Sequence, residues 1–369
     1  MMQKETAHVY SFDMHRQTRQ HRTLSILVAA CVLWLICTGI AYGQDQPAPD
    51  ERSVSGADQP LEQLAEALRQ SLLAIPIDPA PKQIIRDVHY VISNEYNLHH
   101  FYDALKDRSG GIHIGVGAEQ NFLFAGWSRP EILVLLDFDK FIVDLHHLYG
   151  IAFLNSPTIE DFVTLWSLSK KQKRQFHKLI DASIEDGSRR ARLKRIYKHS
   201  RLFVHKRAHL IQRTYTKLGI PTFLTDPKQY QTIVELFRTG RVLPIRGDLT
   251  KYNSMQGIAK WGKEHNIPVR TLYLSNTEYY FGFNTSNYRN NILAMPFDDK
   301  SVVLHTVPHS GTEYYYVWHS GANFQAWAEC RCVRKFRSLL KHSERQGHAE
   351  KRLLLKFPDT PKAAQSDPK

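Results

Sequence analysis

The run Ile112-His113-Ile114-Gly115-Val116-Gly117-Ala118-Glu119-Gln120-Asn121 constrains this chain most. Apolar residues alternate through Ile112, Ile114 and Val116, the run ends in Gly-Val-Gly, and a polar, helix-starting stretch follows. A strand that turns into a helix over three residues needs backbone at positive φ, and a missing Cβ lets a ligand approach the helix N-terminus. Two glycines alone are a weak signal. The next unit adds weight, because Pro130 precedes a second apolar run, Ile132 to Leu136. That run ends in Asp137 and Asp139, about 20 residues past the glycines, the spacing of a carboxylate on a ribose.

Strands are expected at Ile112–Val116, Ile132–Asp137, Val242–Ile245 and Val269–Ser275, with helices at Phe141–Phe153, Gln229–Arg238 and Lys251–His265 between them. Strands alternating with helices predict an α/β fold, a doubly wound, mostly parallel Rossmann-like sheet whose ligands sit in the crevice beyond the strand C-terminal ends. Past Phe283 the alternation weakens. There Asn291–Met295, Ser301–Val307 and Tyr314–Trp318 read as extra strands, the last two as a hairpin through residues 309–312. Ahead of the first strand, Pro60–Leu73 reads as a short amphipathic helix and Pro81–Leu105 as one or two more.

Leu24 to Gly43 is a 20-residue stretch without a charge, preceded by Lys4, Arg16, Arg19 and Arg22. It is long enough to cross a bilayer as a helix, with the N-terminus kept in the cytosol by its basic flank. Ala41-Tyr42-Gly43 offers small residues for cleavage before Gln44, so a signal anchor and a cleaved signal peptide remain alternatives. Either one carries the rest of the chain out of the cytoplasm. The expected organisation is a basic segment at 1–23, the transmembrane or signal helix at 24–43, a linker at 44–60, an α/β domain at 61–343 and a disordered basic tail at 344–369.

The formal charge is +13, and from Ser169 to Arg213 there are 15 Lys and Arg against Asp181, Glu185 and Asp186. The basicity is therefore local. Apolar residues recur at three and four spacings through this stretch, which predicts two or three helices inserted at about 158–217, with a break near Gly187. Such an insertion fits an anionic polymer or lipid. Nucleic acid is disfavoured, because the aromatics present, Phe176, Tyr197, Phe203 and Tyr215, fall at core-like spacing rather than where bases would stack. Cys31 and Cys37 lie in the apolar segment, and Cys330 and Cys332, one residue apart, make no disulfide framework. His99-His100, Asp144 with His146-His147, and His205 with His209 lack the ligand pattern of a metal site, and no metal is expected.

The strand ends offer a consistent polar set. Gly115, Gly117 and Glu119 follow the first strand, Asp137 and Asp139 the second, Gly247 and Asp248 the third, and Ser275, Asn276 and Glu278 the fourth. Glu119 sits where a pyrophosphate needs positive potential, so a dinucleotide is disfavoured and a small molecule with a cationic or zwitterionic part suits better. Glu119 and Glu278 can serve as acid or base groups or fix an amino group, or simply begin helices; Asn276 and Tyr279 carry the same two readings.

Gly115-Val116-Gly117-Ala118-Glu119-Gln120-Asn121-Phe122, Gly247-Asp248 and Leu272 to Tyr280 resemble the signature segments of a poorly characterised bacterial family. The resemblance spans about residues 85 to 310, and members of that family are similar in fold to class I S-adenosylmethionine-dependent methyltransferases. It implies S-adenosyl-L-methionine as cofactor. Gly115 and Gly117 would line its methionine part, Asp137 or Asp139 would hold the ribose, Asp248 would face the adenine amine, and Ser275 and Asn276 would sit beside the transferred group. The chain departs from the methyltransferase pattern where Glu119 replaces the third glycine and where Phe138-Asp139 displaces a basic residue. Two functions follow as expectations. One is a transferase in which Glu119, Asn276 or Glu278 orients the acceptor; the other is a non-catalytic domain that binds an envelope ligand, an anionic polymer or a partner protein.

Overall fold

In the computed structural model, residues 61–310, 313–330, 332–345 and 354–357 are described. All fall in the second of the two units into which the chain divides, Gln59–Lys369. Eight strands form one sheet: β1 Ile112–Val116, β2 Ile132–Asp137, β3 Val242–Arg246, β4 Val269–Tyr273, β5 Val302–Ser310, β6 Glu313–Ser320, β7 Glu344–Arg345 and β8 Leu354–Lys356. Their order is β3-β2-β1-β4-β5-β6-β8-β7. Strands β1 to β5 pair in parallel, β6 returns antiparallel beside β5, β8 runs parallel to β6, and β7 closes the edge antiparallel to β8.

The helices are α1 Glu66–Leu73, α2 Tyr102–Leu105, α3 Gln120–Ser128, α4 Lys140–Leu154, α5 Ile159–Leu165, α6 Lys170–Ser183, α7 Gly187–Leu218, α8 Pro227–Arg238, α9 Asn253–Glu264, α10 Ser286–Ala294, α11 Gly321–Cys330 and α12 Phe336–Leu339. Strand side chains alternate between two faces, so a sheet buried on both sides needs apolar residues at every position. Ile114, Val134, Leu272 and Val303 join one core with α1 and α9 to α12, whereas Leu133, Leu135, Tyr273 and Leu304 join the other with α2 to α8. The strand order reverses between β1 and β4, which opens a crevice at their C-terminal ends.

The expected insertion is three helices, α5 to α7, and Gly187 opens the 32-residue α7, capped by the Asp186 carboxylate. Three expectations need correction. Asn291–Met295 is not a strand but the end of α10, because Tyr288 and Ile292, one helical turn apart, bury together in the second core. Pro81–Leu105 is irregular apart from 3₁₀ turns at Ile85–Asp87 and Leu98–Phe101 and the short α2. Its backbone amides find tertiary partners instead of helical ones: Ser93 N donates to the Glu119 carboxylate and Asn97 N to the Tyr316 hydroxyl. The third correction concerns the tail. Leu355 and Phe357 are buried in the second core, so strands β7 and β8 extend the sheet past residue 343. Among the described residues no helix is long and apolar enough to cross a membrane, and the apolar segment 24–43 lies outside them.

Candidate functional site

The crevice holds a cavity of about 350 Å³, within the size range of small-ligand sites. The turns after β1 to β4 form its floor, and the irregular segment from Pro81 to Glu95 forms its cover. That cover is fixed to the sheet, since Asn94 Nδ2 donates to the Tyr314 hydroxyl at 2.9 Å on β6.

The turn after β1 is stitched by its own side chains. Gln120 accepts a hydrogen bond from Ala118 N at 3.0 Å and donates to Val116 O at 3.1 Å, while Asn121 Nδ2 donates to Val116 O at 3.1 Å. Gly117 lies at φ +85°, a conformation other residues rarely adopt, and it lines the cavity. His146, whose burial lowers its pKa to about 3, donates from Nε2 to Gly117 O at 2.8 Å. Gly115 does not line the cavity, which corrects its expected role. A Cβ there would lie 1.8 Å from Asn121 Oδ1, so this glycine makes room for the asparagine that closes the turn.

Asp137 ends β2 at the cavity wall, and its carboxylate accepts from the backbone N–H of Asp139 and of Gly117. Burial pushes its pKa up to about 7, against these hydrogen bonds and with help from the nearby Asp139 charge. A carboxyl that titrates there can act as a donor or as a proton acceptor near neutrality. With Gly117 N and Ala118 N both engaged internally, two amides that would cradle a phosphate in a dinucleotide-binding turn are taken.

Asp139 faces elsewhere. Its Oδ1 caps α4 through Phe141 N at 2.9 Å and its Oδ2 lies 2.6 Å from His89 Nδ1, and it is not among the lining residues. Asp248 does line the cavity, with Oδ1 accepting from Thr250 N at 2.9 Å and Thr250 Oγ1 at 2.7 Å. Ser275 and Asn276 line it too. Ser275 holds a left-handed φ of 52°, a conformation that costs a non-glycine residue about 1–3 kcal/mol and tends to persist at functional sites.

The two glutamates expected to orient an acceptor are committed to internal partners. Glu119 is buried, 2.8 Å from Arg207 Nε, and accepts from Ser93 N at 3.0 Å. Glu278 is buried on the second face, where it accepts from the Tyr288 hydroxyl at 2.6 Å and lies 3.0 Å from His305 Nδ1. Neither lines the cavity. Burial, and then the neighbouring Glu278 charge, push the Tyr288 phenol well above its ordinary value.

Two acids missed in the sequence shape the site. Glu95 lines the cavity from the cover segment and accepts hydrogen bonds from four hydroxyls: Ser93 at 3.0 Å, Ser275 at 2.7 Å, Tyr273 and Thr306. Asp78 is buried and accepts from Asp248 N at 3.0 Å and Asn253 N at 2.9 Å, which fixes the turn after β3 and caps α9. No sequence signal marked either, because their partners come from strands and turns far along the chain. Among the described lining residues, Glu95, Asp137 and Asp248 are acidic and none is Lys, Arg or His. Phe138, Tyr90 and Tyr280 add aromatic surface. The described residues hold no group of three or more His, Cys, Asp or Glu that could bind a metal ion.

Residues 90–354 match the family described as "Domain of unknown function (DUF7790)". The chain belongs to this family. Among curated proteins none matches it. The DUF7790 match begins at Tyr90 in the cavity cover and ends at Leu354, so it takes in Glu95, the four strand-end turns and the basic helices. Asp78 and the first part of the cover, Pro81 to Ile85, precede it.

Proposed function

We propose that this domain is a small-molecule transferase of the S-adenosylmethionine type, binding the cationic nucleoside donor in the crevice and passing its methyl group to an acceptor. The observation that carries the reading is a cavity at the point of strand-order reversal, walled by Glu95, Asp137 and Asp248 and, among the described lining residues, by no basic side chain. A sulfonium gains from such a wall, whereas a phosphate meets carboxylates and amides already in use. In this reading Gly117 lets the donor approach the backbone, Asp137 holds its ribose, Asp248 faces the adenine amine, and Ser275 and Asn276 sit beside the reacting carbon. The acceptor's lone pair forms the new bond to the methyl carbon, the S–C bonding pair returns to sulfur, and the acceptor's proton leaves to a base. Glu95, which lines the cavity and accepts from Ser275 Oγ at 2.7 Å, is the candidate base.

A membrane-tethered or exported location is part of the proposal. It rests on residues 24–43. The same location favours a second reading, a non-catalytic binding domain, because S-adenosylmethionine is made in the cytosol. The engagement of Glu119 and Glu278 by internal partners favours it as well.

Calorimetric titration of the full chain with S-adenosylmethionine, S-adenosylhomocysteine and ATP separates the two. The transferase reading expects micromolar binding of the sulfonium, about tenfold weaker binding of the neutral thioether, no binding of ATP, and loss of the sulfonium preference in Asp137→Asn. A folded chain that binds neither sulfur nucleoside overturns it and leaves the binding-domain reading.

A further inference from the structure

Helix α7 carries eleven Lys and Arg and no Asp or Glu in 32 residues. Its buried residues, Leu193, Ile196, Tyr197, Ser200, Val204, Ala208, Ile211 and Tyr215, recur at three and four spacings and define one inward face. Several cations are used inside or at the flanks. Arg192 pairs with Asp144 at 2.9 Å, Lys194 with Asp181 at 2.6 Å and Arg207 with Glu119 at 2.8 Å, while Arg201 lies over the Tyr197 ring. Arg190 lies 3.9 Å from Asp181, and Arg189 is half-buried in the first turn. The other five, Arg195, Lys198, Lys206, Arg213 and Lys217, are all exposed, without an ion pair among the described residues, and on the outward side at helical spacing. From Arg195 to Lys217 that stripe runs roughly 33 Å at the α-helical rise.

Helix α6 packs antiparallel against α7 through Phe176 stacked on Tyr197, with ring centroids 4.2 Å apart, and turns Lys171, Arg174 and Lys178 outward on the same principle. Evolution of a merely soluble face does not require this, since mixed charges serve solubility as well. Glu160 of α5 borders the stripe beside His209 and does not interrupt it.

We infer that the outward face of the α6–α7 hairpin docks on an anionic phospholipid bilayer. The surface is long, with no Phe, Tyr or Trp at its outward positions to stack on bases, and the cavity of about 400 Å³ at its border is lined by Glu160 and, among the described residues, by no Lys or Arg, so it does not suit a headgroup phosphate. The sequence also carries the uncharged segment 24–43, long enough to cross a bilayer; were it held in one, residues 44–60 could span at most roughly 60 Å between bilayer and domain. Arg207, which points from α7 into the cavity wall, lies on the opposite side of the helix, so docking does not touch the ligand site. The inference therefore stands apart from the transferase reading.

The test is lysine footprinting by acetylation on the full chain reconstituted in lipid nanodiscs, either phosphatidylcholine alone or with phosphatidylglycerol. The expected result is modification of Lys171, Lys198, Lys206 and Lys217 slowed about fivefold by the anionic lipid, with Lys260 and Lys300 unchanged. Protection should vanish at about 0.5 M salt, where the Debye length is about 4 Å. It should also vanish at Lys171 and Lys217 in the triple variant Arg195→Glu, Lys206→Glu, Arg213→Glu, whose replaced side chains make no internal ion pair. Equal rates in the two lipids overturn the inference. Protection by added polyphosphate in phosphatidylcholine discs, without protection by phosphatidylglycerol, also overturns it in favour of a soluble polyanion.

Discussion

Asp137 is a carboxyl whose proton leaves the unfolded chain near the ordinary value of 3.8 but leaves the folded chain only at about 7. Between those two values the folded state binds more protons than the unfolded state, so stability falls as pH rises, the reverse of the usual salt-bridged carboxylate. Asp137→Asn removes that titration while keeping an oxygen to accept from Gly117 N and Asp139 N. The variant's melting temperature should exceed the native chain's by a margin that grows from pH 5 to 7 and levels off above about 8. A margin that stays constant with pH would show that Asp137 is ionised throughout, as a well-solvated acid is. Legibility in the sequence differs residue by residue. The strand-end rule pointed to Asp137, Asp248, Ser275 and Asn276, and all four line the cavity. The same rule misplaced Glu119, because the sequence displays the acid and not the Arg207 that comes to meet it 88 residues later. In the sequence Gly115 suits backbone approach to a ligand, whereas the space it leaves is filled by Asn121.

Helix α7 acts as a latch between the insertion and the site. Arg207 is 5% exposed and reaches the Glu119 carboxylate, the Glu95 carbonyl oxygen at 3.0 Å and the Tyr96 ring, so one side chain joins the basic helix, the turn after β1 and the cavity cover. Breaking a buried ion pair from one side leaves the other charge without compensation, which costs far more than the pair itself contributes. Arg207→Met should therefore lower unfolding free energy by about 3–5 kcal/mol in urea titration, and Glu119→Gln combined with it should recover much of the loss. Equal losses in the single and double variants would place the cost in lost packing of the arginine stem. At this scale periodicity served the sequence reading well. β1 and β2 fall at Ile112–Val116 and Ile132–Asp137 as expected, and the insertion is the expected set of helices. It failed at Asn291–Met295, a short apolar run that suits either a strand or the last turn of a helix, and at the cover segment, whose conformation is set by tertiary hydrogen bonds rather than by pattern.

The whole sheet depends on residues from its far end. After β5 the parallel winding stops: β6 folds back as a hairpin, and β8 then pairs along it in register, Tyr316 with Leu354 and Trp318 with Lys356. An open β6 edge would present unpaired backbone groups, and β8 covers it. Phe357, just past β8, is fully buried and stacks on His319 with ring centroids 4.0 Å apart, next to the Phe336 and His305 packing that surrounds Glu278. The segment is three apolar residues and a phenylalanine among charges, too short for a pattern, and only the edge of β6 gives it a place. If this closure belongs to the cooperative core, Phe357→Ala should cost about 3–5 kcal/mol, the range for truncating a buried aromatic. Lys356→Ala, which removes a cation 4.8 Å from the centre of the Trp318 ring, should cost no more than about 1 kcal/mol. Urea unfolding followed by tryptophan fluorescence distinguishes the outcomes, because a lower midpoint with an unchanged slope in Phe357→Ala means one unfolding unit that includes the C-terminal strand. An unchanged midpoint would mean that the sheet from β3 to β6 holds without it, and that the strand docks as a separate, weakly coupled piece.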